Sequence, residues 1–229
     1  MLVHGTTADT QTLPLASLSL VEEINHRVIN EYAEAIAMLS IAAARADQGV
    51  RATLSSVAER LRDHADAHRA LLPPMTEGYV NLADHVAAIC GSYARATLAD
   101  RAIHLILKAD DILLPADRGW RLGLIVAELV RNATRHGLKG KAGLIDVRIT
   151  RQGDRITCLV SDSGRAEPGR SPGRGQRLVR ALVAELDGAV RWSFTPTGSF
   201  ALVHIPVTEG SSLGEVVPIC SASDSYAAQ

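Results

Sequence analysis

The sequence predicts an α+β fold in which a long helical hairpin precedes an α/β sandwich, with helices on one face of a mixed sheet. Over the first third of the chain, apolar residues recur every three or four positions, which is the spacing of a helical stripe. After Pro73 and Pro74 the pattern changes to short alternating runs separated by glycine-containing turns. Aromatic residues are only 3% of the 229 residues and hydrophobic residues 47%, which favours an aliphatic core of close-packed helices.

Two long helices form the hairpin. The first is predicted over residues 18–46, and its stripe consists of Val21, Ile24, Val28, Tyr32, Ala35, Leu39, Ala42 and Ala46. Residues 47–49 break it, and a second stripe from Leu54 to Leu72 ends at the two prolines, which cannot continue a helix. A hairpin has only two stripes to bury, so we expect a second copy to complete a dimeric four-helix bundle.

The sandwich is predicted from the remaining periodicities. Helices are expected over 82–98, 116–136 and 176–186, and strands over 103–107, 144–150, 155–160, 189–194 and 199–206. Residues 162–175 form a loop rich in glycine and proline. The predicted domains are therefore a flexible N-terminus (1–16), the hairpin (17–75), the sandwich (79–207) and a weakly ordered tail (208–229), in which Val216, Val217 and Ile219 could dock on a neighbouring surface.

Composition excludes several classes of function. The chain has 24 Lys and Arg against 25 Asp and Glu, so bulk charge does not attract nucleic acid or an anionic membrane. Cys90, Cys158 and Cys220 are odd in number and lack paired spacing, which argues against a disulfide framework or a thiolate zinc site and favours a cytoplasmic location. No segment approaches about 18 uninterrupted apolar residues, so no membrane span is expected.

One predicted helix carries polar residues at helical spacing. Glu128 and Asn132 are four positions apart and Arg135 follows three later, which places the three on one helical face. An Asn oxygen suits magnesium and an Arg guanidinium suits phosphate, so this face can serve a metal-bound polyphosphate. A solvated helical face is the alternative interpretation.

Two glycine-containing segments follow. Asp162 ends an apolar strand, where its carboxylate can accept a hydrogen bond from an exocyclic amine such as that of adenine, and Gly164 lets a ligand approach the backbone. Gly173 and Gly175 open the next helix, whose free backbone N–H groups can bind an anion. Each segment is weak evidence alone, because loops and helix starts use glycine anyway, but the ordered set is much less common by chance.

His26 is a candidate nucleophile. At 100° per residue it lies opposite the stripe of Ile24 and Val28, where a neutral imidazole is reachable by another domain and can attack a phosphate. An ordinary surface histidine is the alternative. His64 and His68 lie on or near the second stripe and are interpreted as bundle histidines, with a metal site at this spacing as the weaker alternative.

Together these segments resemble the N, G1 and G2 boxes of the ATP-binding (Bergerat-type) domain shared by histidine kinases and other GHKL ATPases. Residues 23–30, with the sequence Glu-Ile-Asn-His-Arg-Val-Ile-Asn, resemble the H-box of the HWE-related, HisKA_2-type subclass of histidine kinases. The sequence of residues 61–71, in the second helix, also resembles that subclass. The resemblance covers residues 18–206.

The resemblance implies a site and its ligands. His26, Glu128 and Asn132 would be catalytic, with Asn132 holding Mg²⁺ against the phosphates of ATP. Asp162 would contact adenine, whereas Gly164, Gly173 and Gly175 would line the nucleotide loop. Arg135 and His136 would stand where the family places phosphate contacts. His26 would then pass its phosphoryl group to an aspartate of a response-regulator receiver domain, and the hairpin would make a homodimer.

Several residues depart from the family pattern. Gly164 is followed by Arg165 and Ala166 rather than by a second glycine, and the lid before Gly173 is short. Ile29 stands where the H-box usually has Lys, and the HWE hallmarks, a His in the N box and a Trp-x-Glu in G1, are absent. No sensor domain precedes residue 18, so input is expected from a separate sensor protein. Two alternatives therefore stay open: a histidine phosphotransferase relay with a degenerate ATP-binding domain, and an anti-sigma-type binding regulator.

Overall fold

The computed structural model describes residues 15–74, 78–165 and 173–207, with side chains described from Arg27 onward. The predicted flexible N-terminus lies outside this range but for its last two residues, as does the tail 208–229. The helices are α1 (Leu15–Arg45), α2 (Gln48–Arg69), α3 (Leu82–Tyr93), α4 (Ala116–Asn132) and α5 (Arg174–Glu185). The strands are β1 (Tyr79–Asn81), β2 (Ile103–Ala109), β3 (Leu113–Pro115), β4 (Gly143–Gln152), β5 (Arg155–Asp162), β6 (Ala189–Thr195) and β7 (Gly198–Pro206).

The helical hairpin formed by α1 and α2 confirms the prediction. Asp47 caps α2 by accepting a hydrogen bond from the Val50 backbone N–H at 3.0 Å. Ala43, Ala58 and Ala65 are buried, which is consistent with close packing of the two helices. Because Asp47 caps the helix, α2 begins at Gln48, well before the first residue of its apolar stripe, and it ends at Arg69 rather than at the prolines.

A five-stranded mixed sheet forms one layer of the sandwich. Its strand order is β2-β4-β5-β7-β6, with β2 and β4 parallel and the other neighbours antiparallel. Helices α3, α4 and α5 cover one face, against which Ile145, Val147 and Ile149 of β4 are fully buried. The opposite face of this sheet is called the open face below. The α+β fold class and the mixed sheet are as predicted.

Two features differ from the sequence-based prediction. β1 and β3 form a separate antiparallel pair, which was missed because three residues are too few for an alternating pattern to register. The helices predicted over 82–98 and 116–136 are also not α-helical throughout, because the chain is π-helical at Ala94–Leu98 and again at Ala133–Gly137. The second of these π-turns changes the geometry of the candidate site.

The hairpin packs against the sandwich through α2. The Trp120 indole N–H donates to the Leu71 carbonyl at 3.0 Å, and the Arg95 guanidinium lies 3.1 Å from the Asp63 carboxylate. Within the sandwich, Arg118 donates to the carbonyls of Leu186 and Pro206, which ties α4 to the ends of α5 and β7. Across the described residues, no helix combines the length and the apolar character needed to cross a membrane.

Candidate functional site

In the last turns of α4, two polar side chains, those of Glu128 and Asn132, point towards the interior of the sandwich. Most residues of α4 that face the sheet are apolar and buried, yet Glu128 is only 6% exposed. Its Oε2 contacts the guanidinium of Arg131, which is itself exposed on the next turn. Asn132 is half-buried, and its Nδ2 is buried without a hydrogen-bond partner. A buried amide N–H without a partner is costly, so this atom marks a place where a ligand can improve the structure.

The start of α5 lies directly against these two side chains. A Cβ built on Gly175 would overlap Glu128 Oε1, lie 2.8 Å from Glu128 Cδ and lie 3.2 Å from Asn132 Nδ2. A side chain there would displace the buried Glu128 carboxylate or move α5 away from α4. A Cβ on Gly173 would meet nothing within 4 Å, so the two glycines that sequence reasoning treated alike have different roles.

Asp162 ends β5 and faces the helices. In the strand register, Asp162 pairs with Ile145 of β4 and with Ser199 of β7, both of which are buried. Its Oδ1 accepts a hydrogen bond from the Gly164 backbone N–H at 2.9 Å. Burial raises the pKa of the Asp162 carboxyl above its ordinary value, and the backbone N–H groups of Gly164 and Ser199 oppose that rise.

Glycine backbones let the end of the π-turn approach Asp162. A Cβ on Gly137 would overlap the Asp162 carboxylate, and a Cβ on Gly164 would overlap the Gly137 carbonyl and lie 2.7 Å from the Leu138 nitrogen. The Arg165 backbone N–H also donates to the Gly137 carbonyl at 3.2 Å. The π-turn thus connects Asn132, at the end of α4, to the backbone that packs on Asp162. Such π-turns frequently occur at functional sites.

These groups suit a ligand with an amine at one end and an anion at the other. A carboxylate has about four lone-pair sites, and Asp162 has a hydrogen bond from Gly164 on one oxygen, leaving capacity for an exocyclic amine. The first N–H groups of α5 offer an anion site, since Gly173 caps the helix without a side-chain hydrogen bond. The amide oxygen of Asn132 and the carboxylate of Glu128 are donors that suit Mg²⁺.

The predicted site residues fall into three groups. Glu128 and Asn132 meet at the start of α5 with Gly175, and Asp162 meets Gly164. Arg135 and His136 are exposed in the π-turn, so the α-helical spacing used to align Arg135 with Asn132 is wrong from Ala133 onward. The backbone of His26 lies in α1, but its side chain is outside the described residues, as is most of the short lid, 166–172.

Sequence reasoning missed two residues of this site. Gly137 directly follows the helix predicted over 116–136 and was not assigned to the site, whereas its missing Cβ is what admits the Asp162 carboxylate. Ser199 was not singled out, although it pairs with Asp162 in register and donates its backbone N–H to that carboxyl. For Gly137, the only available signal in the sequence was a glycine five residues after Asn132. For Ser199, the role depends on the pairing of two strands, which is not visible from local sequence.

Comparisons with known proteins find histidine kinases and the ATPase domain that they carry. Residues 92–198 match the family described as histidine kinase-like ATPase domain. The sensor histidine kinase PdtaS of Mycolicibacterium smegmatis is 30% identical over 84% of this chain, and blue-light-activated histidine kinase 2 of Erythrobacter litoralis is 26% identical over 83%. The chain spans 40% of the first relative and 58% of the second.

Two solved structures share the fold. The histidine kinase domain of a blue-light-activated histidine kinase from Erythrobacter litoralis has a TM-score of 0.56 and 21% identity, covering 78% of this chain and 96% of that one. A longer structure of the same kinase has a TM-score of 0.55 and 23% identity, covering 89% of this chain and 63% of that one. At these identities the likeness shows the fold, including the hairpin before the sandwich.

Gly175→Ala is expected to destabilise the sandwich by about 1–3 kcal/mol, because the new methyl overlaps Glu128 and forces α5 away from α4. Gly173→Ala is the matched control: it adds the same methyl two residues earlier into open space at a φ of −74° that alanine adopts readily. Urea unfolding of both variants measures the difference. Equal stabilities would contradict the assigned contact.

Asp162→Asn is expected to stabilise the fold near neutral pH. Because the folded-state pKa of Asp162 is raised, its stabilising contribution is present below the ordinary carboxyl pKa and is lost as pH rises through the folded value. The uncharged amide of the variant avoids that loss. The Tm of the variant should therefore exceed that of the unmodified chain near neutral pH, and the difference should shrink as pH falls towards about 4. Melting curves across pH test this. The variant Glu59→Gln, at an exposed position, is the control and measures the effect of losing one surface charge. A gain independent of pH would refute it.

Proposed function

We propose, from the match of residues 92–198 to the histidine kinase-like ATPase domain family, that the chain is a protein-histidine kinase that phosphorylates His26 from Mg-ATP and transfers the phosphoryl group to an aspartate of a response-regulator receiver domain. The observation that carries the proposal is the contact of Gly175 with Glu128 and Asn132. Because this position has no side chain, the first turn of α5 lies directly against Glu128 and Asn132, which supports a phosphate site shared by the free N–H groups of that turn and the Asn132 amide.

In this proposal Asp162 recognises the adenine amine, and the first turn of α5 with Asn132 takes the phosphates. Gly164 and Gly137 keep the backbone close enough for the purine to reach the carboxylate. Asn132 would hold Mg²⁺ through its amide oxygen, and Arg135 and His136, both exposed, are placed to meet phosphate oxygens from solvent. When bound, Mg²⁺ supplies charge neutralisation on the phosphates.

The protein's contribution to the transfer is mainly positional. Phosphoryl transfer passes through a loose transition state that needs in-line geometry and charge stabilisation more than covalent help. The His26 imidazole attacks the γ-phosphorus and the bond to ADP breaks, so one phosphoryl group moves to nitrogen. Glu128 is buried against Arg131, which fits a carboxylate that fixes the α4–α5 geometry around the phosphates.

We divide the chain into a phosphoacceptor hairpin (17–75) and an ATP-binding domain (79–207). The hairpin exposes apolar side chains that a second copy would cover, namely Met38, Ile41, Val50 and Val57, which supports a homodimeric four-helix bundle. Two free, buried thiols, Cys90 and Cys158, fit a reducing cytoplasm. Input through a separate sensor protein stays a prediction.

Incubation of the purified chain with Mg²⁺ and γ-labelled ATP is expected to give acid-labile, alkali-stable label that disappears in His26→Ala, because only that imidazole is proposed as acceptor. His64→Ala, which removes an exposed histidine from α2, is the matched control and should keep the label. Label accepted only from a phosphorylated receiver domain would identify a relay. Binding of ATP without label from either source would identify a binding regulator.

Asn132→Asp is expected to abolish self-labelling while leaving the dimer intact, because it replaces the amide beside Glu128 with a second carboxylate and so repels the phosphates. Self-labelling and sedimentation velocity are measured on the same preparation. A variant that labels normally would remove Asn132 from the site, and one that loses the dimer would place it in the assembly instead.

A further inference from the structure

The open face of the sheet carries an apolar patch that the described residues leave uncovered. Ile106, Leu144 and Phe200 are 43%, 39% and 41% exposed. On the helix-facing side, Ile145, Ser199 and Ala201 beside Leu144 and Phe200 are buried, and Leu105 and Leu107 beside Ile106 are half-buried. The strand register pairs Leu159 of β5 with Leu202 of β7 on the same face, next to Phe200, and both leucines are half-buried. We call these five residues the open-face patch. An apolar cluster on a single sheet face is typical of a surface that binds another segment or protein.

The open face is also positively charged. Its outward-pointing charged residues in the five strands are the cations Lys108, Arg148, Arg155 and Arg191 and the anion Asp146. Arg148 lies 2.5 Å from Asp146, which neutralises that pair. The remaining cations flank the patch, so a matching occupant would be both apolar and acidic.

The chain itself contains such a segment. Residues 208–229 carry Glu209, Glu215 and Asp224 and no Lys or Arg, and their apolar residues cluster at Leu213, Val216, Val217 and Ile219. A segment with three net negative charges and one apolar cluster complements the open face in both respects.

The reach of this segment also fits. The Val207 backbone N–H donates to the Asp154 carbonyl at 2.6 Å, which fixes the point where the chain leaves the sheet. Phe200 lies six residues before Pro206, about 20 Å along β7, and residues 208–213 can span about the same distance. Gly210 is available for the reversal that returns the chain over the sheet. The length of residues 208–213 therefore allows residues 213–219 to reach the patch.

We propose that residues 208–220 of the same chain fold back over the open face and cover the open-face patch with Val216, Val217 and Ile219, while Glu209 and Glu215 meet the flanking cations. This surface is on the side of the sheet opposite α3, α4 and α5, so it is separate from the nucleotide site.

A nitroxide spin label on Cys220 tests the proposal in the full chain. Burial raises the pKa values of Cys90 and Cys158 to about 12, which leaves Cys220 as the thiol expected to react. In the ¹⁵N spectrum, amide signals of Leu159, Phe200 and Leu202 should lose intensity, whereas those of α3, behind the sheet, should keep it. The loss should vanish in the triple variant Val216→Ser, Val217→Ser, Ile219→Ser and persist in the control Ser221→Thr, Ser223→Thr, Ser225→Thr.

Charge supplies a second test that does not touch the apolar contacts. Lys108→Glu should weaken the signal loss, whereas Lys141→Glu, an exposed lysine away from the open face, should not change it. A uniform or absent loss across the sheet would overturn the proposal. Equal loss in a ¹⁵N chain without a spin label, when it is mixed with a spin-labelled ¹⁴N chain, would assign the patch to a second copy, which also overturns it.

Discussion

The candidate site depends on backbone segments that pack closer than any side chain allows. The Asp162 carboxylate rests on Gly137, the Gly137 carbonyl rests on Gly164, and the start of α5 rests on Glu128 through Gly175. Interiors pack at crystal-like density, so a methyl group at Gly164 must move backbone, and one at Gly137 or Gly175 must displace the carboxylate of Asp162 or Glu128. This constraint explains why three glycines on three different elements are needed to shape one site.

Two carboxylates lie in this region, and the fold accommodates their charges differently. Glu128 is nearly fully buried and contacts a guanidinium, whereas Asp162 is partly buried and receives backbone N–H groups. Backbone donors cannot move away, so Asp162 has a fixed orientation towards its ligand. Arg131, by contrast, is exposed on its outer side and can exchange Glu128 for another anion. The amine end of the site is therefore rigid, and the anion end is adaptable.

Sequence reasoning predicted the hairpin, the mixed sheet and the pairing of Glu128 and Asn132, because each rests on local periodicity or spacing. It failed where the answer depends on chain segments meeting in space. The π-turn at 133–137 packs its Gly137 backbone against Gly164, a contact that no periodicity reveals. For the same reason, Gly173 and Gly175 were equivalent in sequence, although only Gly175 meets a neighbour. The role of Ser199 required the β5–β7 register.

The contact between hairpin and sandwich has consequences for phosphoryl transfer. It includes one indole hydrogen bond and the partly exposed Arg95–Asp63 pair, and interactions of these kinds contribute about 1 kcal/mol or less each. A ligand needs only a few-fold preference for one arrangement to overcome an energy of that size. The sandwich also meets the hairpin through α2, whereas His26 is on α1. Motion of the two units relative to each other is therefore part of the proposed transfer, and weak polar contacts of this kind would allow it while the aliphatic core keeps the sandwich intact.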